Sequence, residues 1–318
     1  MSGFWSNPSN WDGATPVAGD DLVFPGGAAN QLTTNDLPAG TMYGSLSFTG
    51  SGGFCNIIGN TLTIGGGGVT ATRNASVGVP VTLAAPQAWS VTSGSLLVGN
   101  NGLPNVNLAG ENLVLNAVLP GSGSCGFIHG AGRIIKIGNG SWSLGGNSDF
   151  TGQVMVTEGT LSASGLTSLG VGDNTIANGT IVSSGATLST QGNFAPEYIR
   201  LFGGGAADAG VLTGSGTLAG TVELGDQGVM IRGGPIRLNG LVTGSGRLAF
   251  GNSSLFLGHS HNDFTGPVMW DPSSTATLGL AANDALPAGI AIDIPSNNFF
   301  DLNGYSQTIR SLQGGGRV

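Results

Sequence analysis

Apolar and polar residues alternate in short runs along almost the whole chain. The runs are three to six residues long with a period near two, and each ends at Gly, Asn, Ser, Asp or Pro. Examples are the segments at 46–48, 62–64, 79–83, 113–115, 134–137, 154–156, 221–224 and 290–292. A period of two is typical of strands, and Gly, Asn and Pro close turns. The pattern therefore predicts many short strands joined by tight turns, with almost no helix.

Part of the sequence is repeated. A shift of 114 residues aligns 130–188 with 244–302 without a gap. The Asp-Phe-Thr-Gly run at 149–152 then meets the same run at 263–266. Shorter Gly-x-Gly corners at 130, 214, 244 and 314 each lead towards an apolar residue.

Short strands, glycine corners and helix-free repeats together favour a parallel β-solenoid. Inward positions would stack Val, Leu and Ile in columns, while outward positions carry Ser, Thr or Asn. We expect roughly 20–25 residues per coil. A β-sandwich or a propeller is the rival fold, but a propeller would show a period near 40–45 residues throughout, and the sequence does not.

Composition narrows the class of protein further. Sixty of the 318 residues are glycine, only 8% are charged and 39% are apolar. Coiled coils need far more Glu, Lys and Arg, and disordered chains need low hydrophobicity with high charge. Collagen needs glycine at every third position, whereas these glycines cluster irregularly. All three classes are excluded.

Charge and hydropathy restrict the partners. The net charge is −8 and the nine basic residues form no run, which disfavours nucleic acid and anionic membranes. No stretch approaches the ~20 apolar residues of a membrane helix.

The start, Met1 to Trp5, lacks the basic and apolar regions of a signal peptide. The chain is then either cytoplasmic or an internal piece of a longer protein.

The best candidate metal ligands are His259, His261 and Asp263. On an extended strand their side chains would share one face, and histidine with carboxylate suits zinc. The 114-residue shift, however, aligns both histidines with corner positions of the repeat, so a polar corner is the favoured interpretation. His129 has no obvious partner, and we assign no metal site.

The carboxylates lie mostly in Gly- and Asn-rich turns, where they cap backbone amides. They include Asp20, Asp21, Asp173, Asp208, Asp226 and Asp284. Asp149 and Asp263 are equivalent in the repeat, which places them ~25 Å apart, too far for a catalytic pair. The segment 203–208 approaches a calcium-binding repeat but occurs once and has alanine at its fourth position. The glycine runs at 65–68 and 203–205 lack the Lys of a phosphate loop.

Tryptophans and cysteines have structural interpretations. We expect Trp5 and Trp11 to pack in a cap and Trp142 and Trp270 to lie in the core, although tryptophan could also stack on sugars. Trp89 is a further candidate of that kind. Cys55 and Cys125 are separated by three coils, or ~14 Å. That distance exceeds disulfide reach, which predicts two free buried thiols.

The segment 132–161 contains a recognisable unit. Lys136 lies in a strand, Gly138 and Gly140 form a corner, Asn147 precedes the Asp-Phe-Thr-Gly run, and Gly-Thr-Leu follows at 159–161. This unit resembles the autotransporter-associated β-strand repeat, also called the passenger-associated transport repeat. The second copy diverges, with Phe250 in the place of Lys136. The start of the chain around Trp5 and Trp11, and the segment 86–91, are similar to other parts of such proteins.

The resemblance implies a right-handed parallel β-helix in a large secreted or surface-displayed bacterial protein. We expect an N-terminal cap and first coil in 1–45 and the β-helix in 46–318, cut inside a repeat at Val318. Residues after about 300 would then be either poorly ordered or paired with a neighbouring molecule, whereas residues 1–25 would be well ordered.

The function implied is a structural, adhesin-like display module at the bacterial cell surface. It implies no catalytic, cofactor or metal residues. Its partners would be further coils of a parent chain, surface glycans, or a second copy at the open C-terminal end. The alternative is a β-helix that binds or degrades polysaccharide, which would need a groove of clustered Asp, Arg and aromatic residues.

Overall fold

The computed structural model describes residues 3–28, 31–99 and 104–318. Backbone contacts divide the chain into two units, Met1–Gly152 and Gln153–Val318. The described residues form strands joined by turns and loops, with short 3-10 turns at Pro8–Asn10 and Ala206–Asp208. No helix in those ranges is long and apolar enough to span a bilayer. Met1, Ser2, Ala29 and Asn30, which belong to the predicted cap and first coil, lie outside the described residues.

The first unit contains fifteen described strands. They are β1 (Asp21–Pro25), β2 (Leu32–Asn35), β3 (Thr41–Thr49), β4 (Cys55–Gly59), β5 (Leu62–Ala71), β6 (Ala75–Val77), β7 (Val81–Leu83), β8 (Gln87–Val91), β9 (Ser95–Val98), β10 (Pro104–Asn107), β11 (Leu113–Ala117), β12 (Ser122–Cys125), β13 (Phe127–His129), β14 (Ile134–Ile137) and β15 (Ser141–Leu144).

The second unit contains sixteen described strands. They are β16 (Val154–Val156), β17 (Gly159–Ser164), β18 (Thr180–Val182), β19 (Ala186–Phe194), β20 (Ile199–Gly203), β21 (Leu212–Leu218), β22 (Val222–Arg232), β23 (Ile236–Leu238), β24 (Val242–Gly244), β25 (Leu248–Gly251), β26 (Ser254–Leu257), β27 (Val268–Trp270), β28 (Thr277–Leu280), β29 (Ala291–Ile294), β30 (Phe299–Asp301) and β31 (Ser311–Gly314).

Strands pair in parallel between successive coils in both units. β3 pairs with β1 and β5 in the first unit, and β21 pairs with β19 and β23 in the second. Many hydrogen bonds between coils join residues 20 to 25 positions apart, for example Ser148 to Ile128 and Asn35 to Asn60. Sandwiches and propellers are built from antiparallel strands. The predicted all-β parallel solenoid and its coil length are therefore confirmed, while its handedness stays a prediction.

The core of the first unit is built from inward columns. One column runs along β1, β3, β5, β8, β11 and β14 and consists of Leu22, Leu46, Val69, Trp89, Leu115 and Lys136. All six are buried. Lys136 fits this apolar position because its ammonium donates to the carbonyls of Ile137 and Gly138, at 2.8 and 2.7 Å. A buried amine bonded in this way avoids much of the cost of losing water.

The second unit repeats this construction. One of its columns consists of Phe194, Leu218, Leu238, Leu257 and Leu280, all buried. Phe250 lies inward in another column, and its ring centroid is 5.0 Å from that of Trp270. Phe250 and Lys136 are equivalent in the repeat, so one inward position accepts either an aromatic ring or an amine bonded to carbonyls.

The strands of the two repeat copies correspond in part. The 114-residue shift superposes β14 on β25 and β16 on β27. β26 begins one residue earlier than the shift of β15 requires, because the corner after Gly251 is shorter and turns at Asn252, whose φ is 49°. After Val156 the copies diverge, since β17 begins at Gly159 and β28 only at Thr277.

Aromatic residues crowd the beginning of the first unit. Trp5 is fully buried, and its ring lies 5.6 Å from Trp11, 5.8 Å from Phe24 and 5.6 Å from Tyr43. Its indole N–H donates to Thr33 Oγ1 at 2.6 Å. Trp5 and Trp11 thus pack against the first coils as the sequence suggests, and the capping role of this segment stays a prediction.

Candidate functional site

The predicted histidine cluster lies in the turn that follows β26. The backbone N–H of His261 donates to His259 Nδ1 at 3.2 Å, and Ser260 Oγ lies 2.9 Å from His261 Nδ1. The backbone N–H of Asp263 donates to the carbonyl of Val242. Within the described ranges, no three His, Cys, Asp or Glu side chains are arranged to hold a metal ion. His259, His261 and Asp263 lie in the turn between β26 and β27.

Asn262, which sequence reasoning missed, lies between His261 and Asp263. Its side chain is buried, and its Oδ1 accepts the N–H of Val242 at 2.7 Å. Its Nδ2 donates to the carbonyls of His259 and Ala285, at 3.0 and 2.7 Å. Ser148, the equivalent residue of the first copy, accepts the N–H of Ile128. The 114-residue repeat therefore pointed to a polar residue that accepts a backbone N–H at position 262, directly after His261.

Several turn carboxylates bind backbone or hydroxyl groups as predicted. Asp20 accepts the N–H of Val17, Asp21 accepts the hydroxyl of Ser45, and Asp284 accepts the N–H of Thr308. These bonds are short-range or join neighbouring coils, which is the usual work of Asp in turns.

Asp173 shows the same behaviour most fully. Its Oδ1 accepts both the N–H and the hydroxyl of Thr175, and its Oδ2 accepts the amide of Asn178. These bonds, led by that of Asn178, hold the pKa of Asp173 below its ordinary value. Asp208 ends a 3-10 turn in the left-handed conformation, with φ of 59°, and Asp226 is exposed in β22.

The cysteines lie in neighbouring inward columns three coils apart. Cys55 is followed in its column by Ala75, Leu96 and Gly123, and Cys125 lies two residues after Gly123. This pairing confirms the three-coil separation expected from the sequence, and both thiols are free and buried. Burial raises the pKa of Cys125 to about 12. Trp142 Nε1 lies 3.4 Å from its sulfur.

Four of the five tryptophans belong to the core. Trp5, Trp89, Trp142 and Trp270 are all buried, so their rings are not platforms for sugars. Only Trp11 is partly exposed.

The structure also brings together charged residues that the sequence did not connect. Arg200 in β20 lies directly opposite Glu223 in β22, and the two form an ion pair of 3.0 Å. The hydroxyl of Tyr198 donates to the same carboxylate. Burial, together with this bond to Glu223, raises the pKa of Tyr198 to about 12. The guanidinium of Arg200 also lies 5.2 Å from the ring centroid of Phe202.

Glu197 adds a buried carboxyl to this cluster. It is 4% exposed, and its Oε1 accepts the hydroxyl of Thr180 at 2.8 Å. Burial raises its pKa to about 8, with a smaller contribution from the negative charge of Asp173. A carboxylate moved out of water is costly unless it is paired, so the group takes up a proton instead.

This cluster contains two carboxyl groups, as a glycosidase does, but they are not accessible to a substrate. Such enzymes need two carboxyl groups that both reach the substrate. Glu197 is covered by protein, and Glu223 is already bonded to Arg200 and Tyr198. The cluster therefore joins adjacent coils. Only the strand register, which the sequence does not reveal, would have shown that Arg200 and Glu223 are neighbours.

Comparison with known proteins gives one informative likeness. The chain is 26% identical over 227 residues to an adhesin of Brucella suis biovar 1 (strain 1330), the Adhesin BmaC autotransporter. The alignment covers 70% of this chain and 5% of the adhesin. The chain resembles autotransporter β-helix repeat proteins. No family model matches the sequence, and no solved structure matches it.

Proposed function

We propose that this chain is a mechanical, surface-displayed β-helical segment of a bacterial autotransporter-like adhesin. Its work is to hold a stiff, protease-resistant surface outside the cell, and it carries out no catalysis. The observation that supports this most is the likeness of the chain to a short stretch of a far longer autotransporter adhesin.

The packing supports a mechanical role. Parallel ladders join strand to strand within each unit, so the backbone N–H and C=O groups of the paired strands are bonded to the neighbouring coils. Proteases need a locally unfolded segment of chain, and buried columns with paired backbone open rarely. Trypsin has nine Lys and Arg targets in this sequence, yet Lys136 and Arg73 are buried.

Two measurements test the proposal. Trypsin and proteinase K should leave the folded chain largely intact under conditions that digest the same protein unfolded in urea. Antibodies to the chain should label intact cells of the source organism, and added protease should remove that label. Signal that appears only after lysis would contradict surface display, and rapid digestion of the folded protein would contradict the mechanical role.

The binding partners of the chain are predictions from its sequence. Further β-helix coils of a longer chain, surface glycans and a second copy of the chain are the partners that the sequence suggests. The polysaccharide-binding alternative is tested by glycan-array binding of the purified chain, which should be negative if the role is mechanical alone.

A further inference from the structure

A cavity of about 280 Å³ lies in the first unit, beside the aromatic residues near its start. Its apolar wall includes Trp11, Val23 and Phe24, and its polar side includes Arg73 and Cys55. The rings of Trp11 and Phe24 meet edge to face with centroids 5.6 Å apart. The cavity is therefore a partly enclosed apolar space with a cation in its lining.

Arg73 is a buried cation without a countercharge. It is 5% exposed, and its Nη1 donates to Gln31 Oε1 at 2.8 Å and to the Gly52 carbonyl at 3.2 Å. Its Nη2 donates to the carbonyls of Phe24 and Pro25. All of these acceptors are neutral, and the ion pairs found in the described part of the chain do not include Arg73. Buried charges in proteins are ordinarily paired with an opposite charge.

Two donors in the cavity lining have no acceptor. The Nε of Arg73 and the Nε1 of Trp11 are buried and lack a hydrogen-bond partner in the described residues. A buried donor left unpaired costs free energy, and each such group in a folded protein calls for an explanation. Neither atom is open to the cavity as it stands, so a bound acceptor meets these donors only when the Arg73 and Trp11 side chains turn towards it.

The thiol beside the guanidinium does not balance its charge. Burial raises the pKa of Cys55, and the nearby positive charge of Arg73 opposes this only in part. Cys55 is therefore a neutral thiol at neutral pH, and the site keeps a net positive charge.

We propose that this cavity binds a small organic anion: a carboxylate carried on an aromatic or aliphatic body. The carboxylate would lie against Arg73, and the body would pack against the apolar wall formed by Trp11, Val23 and Phe24. An apolar cavity of roughly 150 Å³ is enough to hold benzene, so the space here accommodates a ring together with a carboxylate. The charge of the ligand determines which class binds. An anion neutralises the uncompensated positive charge of Arg73, and a neutral molecule of the same shape does not.

The test compares three probes of one shape on the full chain: phenylacetate, 2-phenylethanol and phenethylamine. Isothermal calorimetry should give phenylacetate a Kd at least about tenfold lower than 2-phenylethanol, as a charge-assisted bond to a guanidinium requires. Phenethylamine should not bind. Equal affinity for phenylacetate and 2-phenylethanol, or no binding of phenylacetate, would overturn the proposal.

Variants locate the binding site. Val23 is 52% exposed and lines the cavity, so Val23→Trp should fill its mouth and weaken phenylacetate binding about tenfold or more. Val17→Trp places the same side chain at a position that is 61% exposed and outside the lining, and it should bind normally.

Trp11→Phe keeps a ring but removes the unpaired N–H, and it should weaken phenylacetate more than 2-phenylethanol. Arg73→Gln should abolish the preference for phenylacetate, with circular dichroism used to check folding. If Arg73→Gln does not fold, Val23→Trp and Trp11→Phe still decide the matter. Binding that both of these variants leave unchanged would place the ligand elsewhere and refute the site.

Discussion

At the scale of single residues, glycine is required where a larger side chain would overlap a residue of the neighbouring coil. Gly123 in β12 lies directly opposite Trp142 in β15. A Cβ at position 123 would overlap the six-membered ring of that tryptophan. Its φ is not in the left-handed region, so the requirement here is space alone. The high glycine content of the chain thus reflects close packing between coils as well as turns.

Gly123→Ala should lower the free energy of unfolding by about 1–3 kcal/mol, because overpacking forces a buried ring off its position. Urea unfolding followed by tryptophan fluorescence measures the change. Gly66→Ala is the matched control, since a Cβ there would meet only ordinary contacts at 3.8 and 3.9 Å, and it should change stability little. A variant at 123 that is as stable as the wild type would show that Trp142 packs elsewhere.

The corner residue Asn262 provides a second test at this scale. Asn262→Ala leaves one N–H and two carbonyls without their partner, and it should cost about 2 kcal/mol or more. The double variant His259→Asn with His261→Asn is the comparison, and its melting temperature should match the wild type with or without Zn²⁺. A zinc-dependent stabilisation that the double variant loses would restore the metal interpretation of this corner.

At the scale of the element, each strand is stabilised by the coil before it and the coil after it. β20 illustrates this, because it lies between β18 and β22 and takes part in both ladders. Side chains reinforce the same contacts. Arg200 of β20 is bonded to Glu223 on β22, and Glu197, which lies just before β20, is bonded to Thr180 on β18. Breaking one of these bonds therefore loosens two coils.

Glu197 makes this element sensitive to pH. Its pKa in the folded protein is about 8 against an ordinary value of 4.5, so the folded state holds the proton more tightly than the unfolded state. Its contribution to stability is fully present below pH 4.5 and is lost as pH rises through about 8. The loss has a slope of up to about 1.4 kcal/mol per pH unit.

Glu197→Gln should remove this slope, because the amide does not ionise. Urea unfolding of both proteins at pH 5, 6.5, 8 and 9 provides the comparison, and other titrating groups cancel between them. The wild type should lose stability relative to the variant as the pH rises. Parallel curves would mean that Glu197 is ionised in the folded protein.

At the scale of the molecule, the two units share one principle of construction. Each is a series of coils whose inward columns are apolar and whose strand ladders run in parallel. In such repeat structures the stability of each coil depends on its direct neighbours. Protection from exchange should therefore follow local burial along the chain.

Hydrogen exchange with mass spectrometry tests this expectation. All four residues of β31 are exposed, whereas β19 contains a run of buried residues and pairs with strands on both sides. Amides of β31 should exchange much faster than those of β19. Equal protection in a strictly monomeric sample would contradict the dependence on local burial.

Much of the fold could be read from the sequence because its signals are local. Alternation of period two, Gly and Asn corners and a repeat of 114 residues identified the strands, the turns and the solenoid class. The coil length then followed, and with it the separation of Cys55 from Cys125. The buried positions of Trp142 and Trp270 were predictable for the same reason, since they lie in repeat strands.

Register, by contrast, was decided only in the tertiary structure. Whether Glu223 lies beside Arg200, or Trp142 above Gly123, depends on how many residues each corner takes, and corners of two and three residues look alike in sequence. The cavity beside Arg73 arises from contacts among four separate segments, none of which carries a motif of its own. The sequence by itself determined the class of fold, because alternation and glycine act locally, whereas the stacking of one coil on the next determined which side chains meet.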